Sequence, residues 1–222
     1  MKKYVITIMD MTESVQMASR CIETGLNNGV EDIKMWKAIT PKDNPYQILK
    51  DEMIPGVGFT SQYSKVENAV SCFLSHYMLW KHCVEINEAV MILEHDAKFI
   101  SPLQLQEFQF KGCISIGAPS YGKFKQPPLL GVNKLVSKEY FPGAHAYIIK
   151  PKAAQLMIER AKIDAEPTDT FLHNQRFSFL EELYPWVVQA DDTFTTIQEF
   201  RGIAAKHSYL KNKENYGVKH AR

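Results

Sequence analysis

Five apolar residues, Ala89-Val90-Met91-Ile92-Leu93, run without a break into Glu94-His95-Asp96, and this junction constrains the fold more than any other stretch. A short apolar run without alternation, bounded by charge, reads as a strand buried on both faces, which belongs to a parallel sheet covered by helices. The acids then fall at the strand's carboxyl end. In open α/β sheets ligands bind outside the carboxyl ends of strands, and two carboxylates there suit a hard cation such as Mg²⁺ or Mn²⁺ set against a polyphosphate. The same residues equally suit a strand leaving the core through a solvated acidic turn.

The neighbouring segments alternate between strand and helix signals. Tyr4 to Ile8 is β-rich, and Asp10 with Glu13 three residues later predicts a capping box opening a helix that lasts to about Gly25 or Asn27. A second strand is expected over Asp32 to Ile39, followed by a Pro- and Gly-punctuated region with one short helix around Ile48. From Lys65 to Asn87, Val66, Ala69, Val70, Phe73, Leu74 and Tyr77 recur at three and four, the spacing of a long amphipathic helix. Pro102 reads as the start of a short helix, Cys113 to Gly117 as a third buried run, and Val132 and Ala146 to Ile149 as shorter strands. Pro151 opens a further helix to about Lys162; another is expected around Phe171 to Leu183, then a strand at Trp186-Val187-Val188. This order predicts an α/β fold with a mainly parallel central sheet.

A chain of 222 residues suffices for one large domain or for a core with a tail, and a formal net charge of +1 gives no global pull toward nucleic acid. Beyond Phe200 the balance shifts: Arg201, Lys206, Lys211, Lys213, Lys219 and Arg222 face only Glu214 among acids. The expected division is therefore a domain over 1–200 and a basic tail over 201–222, a solvated terminus or an arm for anions. Cys21, Cys72, Cys83 and Cys113 show no zinc-type spacing. Cys72 and Cys83, eleven residues apart on one helix, would stand roughly 16 Å from each other, too far for a disulfide. Asp10 interrupts the first apolar run too early for a secretory signal, and no run approaches the ~20 apolar residues of a membrane span. The expectation is a cytoplasmic protein without a membrane span.

Four blocks together resemble glycosyltransferase family 25, the lipopolysaccharide-biosynthesis and collagen-galactosyltransferase type. They are Val70-Ser71-Cys72-Phe73-Leu74-Ser75-His76-Tyr77-Met78-Leu79-Trp80, Ile92-Leu93-Glu94-His95-Asp96, Pro142-Gly143-Ala144-His145-Ala146-Tyr147 with the helix after it, and Pro167-Thr168-Asp169-Thr170-Phe171. The resemblance implies a GT-A type, Rossmann-like nucleotide-sugar-binding fold, a divalent metal, and transfer of a hexose or pentose to an acceptor hydroxyl, with inversion. Two positions depart from the family pattern. His95 stands where the acidic motif usually has aspartate, and Asp10 to Ser14 lacks the usual arginine.

Negative charge builds on the leaving phosphate during such a transfer, and a cation held by carboxylates neutralises it. Asp96 is the expected direct ligand of Mn²⁺ or Mg²⁺, with Glu94 as second ligand or ribose contact and His95 beside them. Asp169 is the candidate general base, although its place before an apolar helix also suits an N-cap. Gly143, His145, Ser75 and His76 are candidate donor-site residues; packing is the competing role for Ser75, and burial for His145. Cys72 and Trp80 read most simply as core. The expected donor is a UDP-sugar and the expected acceptor a glycan of lipopolysaccharide type. Two alternatives remain: a phage-type enzyme acting on a hydroxymethylated DNA base through the basic tail, and a nucleotide-sugar-binding module without catalysis.

Overall fold

The protein is described by a computed structural model over residues 1–60 and 65–191. Its first half is a β-α-β-α-α-β succession: β1 (Lys2–Thr7), α1 (Thr12–Asn27), β2 (Ile33–Lys37), α2 (Pro45–Asp51), α3 (Val66–Ile86) and β3 (Val90–Glu94). β4 (Ala97–Phe99), β5 (Cys113–Ser115), β6 (Gly131–Lys134), β7 (Ala146–Ile149), α4 (Pro151–Asp164), α5 (Thr168–Phe171), β8 (Leu180–Tyr184) and β9 (Val188–Ala190) complete it. Seven strands form one sheet in the order β2-β1-β3-β7-β5-β8-β6, while β4 and β9 pair separately. β1 is parallel to β2 and β3, β5 is parallel to β8, and β7 and β6 run against their neighbours. Five of the seven strands therefore share one direction, as expected of a mainly parallel α/β sheet.

Alternation along β3 explains why its sequence is apolar throughout. Val90 and Ile92 face a core shared with α2, α3 and α4, whereas Met91 and Leu93 face a second core on the α1 side. With both faces covered, neither set of side chains can be polar. α3 is nearly as buried as the strand: Phe73, Leu74, Tyr77, Leu79 and Trp80 are inaccessible, and Phe73, Trp80 and Phe171 contact one another edge-on or stacked.

Several expectations fail for identifiable reasons. Asp10 does not cap α1; Met11 is the N-cap, with no side-chain bond, and Asp10 is drawn into an ion pair with Lys42. Pro102 opens no helix, and the segment after it holds only a single 3-10 turn at Glu107–Gln109. The helix expected around Phe171 to Leu183 is one turn, α5, followed by β8. Leu180 and Leu183 have helical spacing, but Glu181 and Glu182 between them are buried acceptors rather than a solvated face. Glu182 Oε1 accepts the Val136 and Ser137 N–H groups at 2.7 Å each, and Glu181 Oε2 accepts that of Lys111 at 2.6 Å. β4 has no counterpart among the expected strands. All four cysteines are free, and among the described residues no helix is long and apolar enough to cross a membrane. The basic segment 201–222 lies outside the described residues.

Candidate active site

The carboxyl ends of β1, β2 and β3 converge on one cavity of about 540 Å³, walled by Ile8, Thr12, Thr40, Lys42, Cys72, His76, Glu94, His95 and Asp96 among others. Its size is within the usual range for small-molecule sites. α3 presents one face to it over three turns: Lys65, Asn68, Cys72, Ser75 and His76 all line the wall. Lys42 and Lys65 are exposed there, and the helix's first, unsatisfied N–H groups lie at the same end.

Glu94 is the last residue of β3 and is gripped from behind. His76 Nε2 lies 3.0 Å from Glu94 Oε1, and the Cys72 thiol lies 3.6 Å from the same oxygen. A carboxylate only accepts, so the His76 proton on this contact sits on Nε2. His76 Nδ1 is 2.9 Å from the Tyr147 hydroxyl, which also accepts the Trp80 indole N–H at 2.9 Å. A buried chain thus runs from Trp80 through Tyr147 and His76 to Glu94. Burial acts to raise the Glu94 carboxyl, but the His76 hydrogen bond and the neighbouring His76, His95 and His145 imidazoles outweigh it and hold the group below its ordinary value. Both contacts fall on Oε1, so Glu94 can meet a ligand through Oε2.

His95 and Asp96 form the tight turn after β3. His95 Nδ1 lies 2.6 Å from the Ser14 hydroxyl, which in turn accepts the Ile8 N–H at 2.9 Å, so His95 ties this turn to the loop between β1 and α1. Burial holds its imidazole below the usual value. The Asp96 carbonyl accepts the Asp191 N–H at 2.8 Å, and the Asp191 carboxylate pairs with Arg20 at 2.5 Å. That arginine, on α1, braces the turn from outside the cavity lining.

Ser75 is both cavity wall and packing element: its hydroxyl donates to the Ser71 carbonyl at 2.8 Å and accepts the Ile39 N–H at 2.8 Å. His145 and Gly143 do not line the cavity. His145 is buried on β7's leading edge, its carbonyl accepting the Glu94 N–H at 2.9 Å. Burial, opposed by the Glu94 charge and a contact with the Val188 backbone, pulls its imidazole down to about 4. Gly143 has φ +85, and a Cβ there would meet Ser120 Oγ at 2.3 Å, so only glycine suits this turn.

Asp169 does not line the cavity, although its charge acts on Cys72. It is the second residue of α5, whose N-cap is Pro167. Asp169 Oδ1 accepts the Thr170 N–H at 2.9 Å and Oδ2 accepts the Tyr121 hydroxyl. Burial raises its carboxyl, the Tyr121 and Thr170 bonds oppose this, and the Glu94 charge adds to the rise. Sequence reading placed Cys72 in the core, whereas it lines the cavity between Glu94 and α5. Tyr147 stands in one of the four resemblance blocks without an assigned role, and Tyr121 stands in none of them. The i, i+4 spacing of Cys72 and His76 was the available signal for Cys72; nothing local marks the two tyrosines.

The model of glycosyltransferase family 25, described as an LPS biosynthesis protein, matches residues 1–113, half of the chain, from β1 through the Glu94–Asp96 turn to the start of β5. No curated protein matches the sequence. Among solved structures, mouse xyloside xylosyltransferase 1 in its apo form is similar at 10% identity and a TM-score of 0.44, covering 100% of this chain and 95% of that one. A mutant of Drosophila β-1,4-galactosyltransferase 7 in complex with manganese, UDP-Gal and xylobiose aligns at 5% identity and a TM-score of 0.35, over 71% of this chain. The aligned part spans about half of that enzyme, 52% of its length.

Proposed function

The chain belongs to glycosyltransferase family 25, and on that premise we propose that its cavity holds a nucleotide sugar, a UDP-sugar by preference, and that the sugar passes to a hydroxyl of a lipopolysaccharide-type glycan. One observation carries this reading: Glu94 and Asp96 open together onto a single cavity at the carboxyl ends of three parallel strands, with Lys42 and Lys65 at its wall. Carboxylate oxygens suit a hard cation, Mn²⁺ or Mg²⁺. When bound, such a cation supplies charge neutralisation for the departing diphosphate. Lys65 and the amino end of α3 add positive potential where the phosphates would lie, whereas the Lys42 charge is balanced by Asp10, also on the cavity wall.

The chain's own groups then have distinct tasks in this GT-A type reading. His76 fixes the rotamer of Glu94, and His95 holds the turn that presents Asp96. Asp169 is the general base. Its Oδ2 already accepts the Tyr121 hydroxyl, the geometry an acceptor hydroxyl would adopt before surrendering its proton; exchange of Tyr121 for the acceptor puts the base in use. Buried surroundings raise the carboxylate's basicity and so favour the proton transfer. Inversion follows when the acceptor that Asp169 deprotonates enters opposite the departing diphosphate. Gly143 and His145 act on the donor through the backbone that joins β7 to Glu94. The transferase unit is assigned to 1–200, with 201–222 as an appended basic tail.

A thermal-shift screen of UDP-, GDP- and CMP-sugars with and without Mn²⁺ tests this reading. A ligand present at about a hundred times its Kd stabilises the native state by about 2.7 kcal/mol. The expected result is a raised melting temperature with a UDP-sugar only when Mn²⁺ is present. Indifference to every nucleotide sugar would remove the proposal.

A further inference from the structure

The inner wall of the cavity holds a donor set of different chemistry from the paired carboxylates. Cys72 and His76 stand one helical turn apart on α3 and converge on Glu94, with Cys72 Sγ, His76 Nε2 and a Glu94 carboxylate oxygen within 4.8 Å of one another. Nε2 lies 3.0 Å and Sγ 3.6 Å from Glu94 Oε1. Around a tetrahedral Zn²⁺, with Zn–S of about 2.3 Å and Zn–N or Zn–O of about 2.0–2.1 Å, donor atoms stand roughly 3.3–3.6 Å apart. The 3.0 and 3.6 Å separations from Glu94 Oε1 fall close to that spacing.

We propose that Cys72, His76 and Glu94 form a binding site for a soft divalent cation of the Zn²⁺ class, with the fourth coordination position open to the cavity. A thiolate and an imidazole select such a cation over Mg²⁺ and Mn²⁺, which prefer oxygen alone. Only Glu94 is common to this set and to the Glu94 and Asp96 pair. The surroundings fit a metal-bound imidazole. A ligating histidine ordinarily donates its other ring N–H to an outer partner, and the Tyr147 hydroxyl stands 2.9 Å from His76 Nδ1 for that purpose. Beside Cys72 lies the buried Thr168 hydroxyl, whose contact with the sulfur favours a thiolate.

The proton balance is simple. The cation replaces the Cys72 thiol proton, which leaves through the cavity, and the His76 proton passes from Nε2 to Nδ1, where it is donated to Tyr147. In the metal-free protein, burial and the Glu94 charge keep Cys72 a neutral thiol, so one proton is released for each cation bound.

Co²⁺ added to the full, reduced chain reads this site without any turnover. Four-coordinate binding is expected to give strong visible bands and a near-ultraviolet thiolate-to-Co²⁺ charge-transfer band, both titrating to one equivalent and both abolished by Zn²⁺. Cys72→Ser should lose the charge-transfer band, and His76→Gln should weaken Co²⁺ binding at least about tenfold. X-ray absorption of the Zn²⁺-loaded wild-type chain supplies the same answer without a variant: one sulfur scatterer at about 2.3 Å. A nitrogen- and oxygen-only shell, weak octahedral Co²⁺ bands, or a charge-transfer band that survives Cys72→Ser would overturn the proposal.

Discussion

Burial lifts the Asp169 carboxyl above the ordinary aspartate range while Tyr121 and the Thr170 N–H hold it down, and these opposed influences give signed outcomes. A base whose pKa is raised is lost to protonation at a higher pH than usual, so the acid limb of the transfer rate should lie above the ordinary carboxylate region. Tyr121→Phe removes a hydrogen bond that favours the charged form, and the limb should move further up; a downward move in the measured pH–rate profile would contradict this. Asp169→Asn keeps an acceptor for Tyr121 and deletes a buried charge that costs stability above its folded pKa. It should therefore raise or preserve the melting temperature while reducing transfer about 10²- to 10⁴-fold. His145 runs the other way. Its folded pKa near 4 lies below the reference value of 6.5, so the unfolded chain takes up protons first and stability falls as pH drops from 6.5 toward 4, by roughly 3 kcal/mol in all. Denaturant unfolding of His145→Gln over that window should show a flatter fall; an unchanged slope would absolve His145.

The elements divide into those whose residues announce them and those that depend on distant partners. α3 was legible because buried positions recur at helical spacing, and β3 because both its faces are covered, which leaves no polar alternation to confuse. Leu180 to Leu183 misled because its glutamates look solvated; their carboxylates in fact satisfy N–H groups of segments 45 to 70 residues away, which no local window contains. The same distance hid Tyr147, 67 residues from Trp80 and 71 from His76. Glu94, Asp96 and His76 were legible because a charge at a strand end and polar groups on an apolar helix have few structural uses. Tyr147 joins β7 to α3 through its hydroxyl's contacts with His76 and Trp80. Tyr147→Phe leaves the buried Trp80 N–H without its acceptor, which should cost about 1–3 kcal/mol, and it releases His76 from one side, which should weaken Mn²⁺ binding as well. Loss of stability with unaltered Mn²⁺ affinity would confine Tyr147 to packing.

Across the whole molecule, the parallel half built from β1, β2, α3 and β3 is also the half that the family model matches, and it contributes every wall residue named for the donor. Asp169 and Tyr121 come from the second half, which closes the sheet through antiparallel β7 and β6. In the proposed function, donor binding and proton abstraction are assigned to different halves of one sheet, so Asp169→Asn should leave donor affinity intact while variants of Glu94 and Asp96 abolish it. The most direct measurement is release of nucleoside diphosphate from a UDP-sugar by metal-stripped protein, before and after Mn²⁺ is restored, in the wild type and in the Glu94→Gln, Asp96→Asn double variant. Release is predicted to be negligible after stripping, to return with Mn²⁺ in the wild type, and to stay at least about a hundredfold lower in the variant. Full release from the stripped wild type, or Mn²⁺-restored release in the double variant, would contradict a cation held by those two carboxylates.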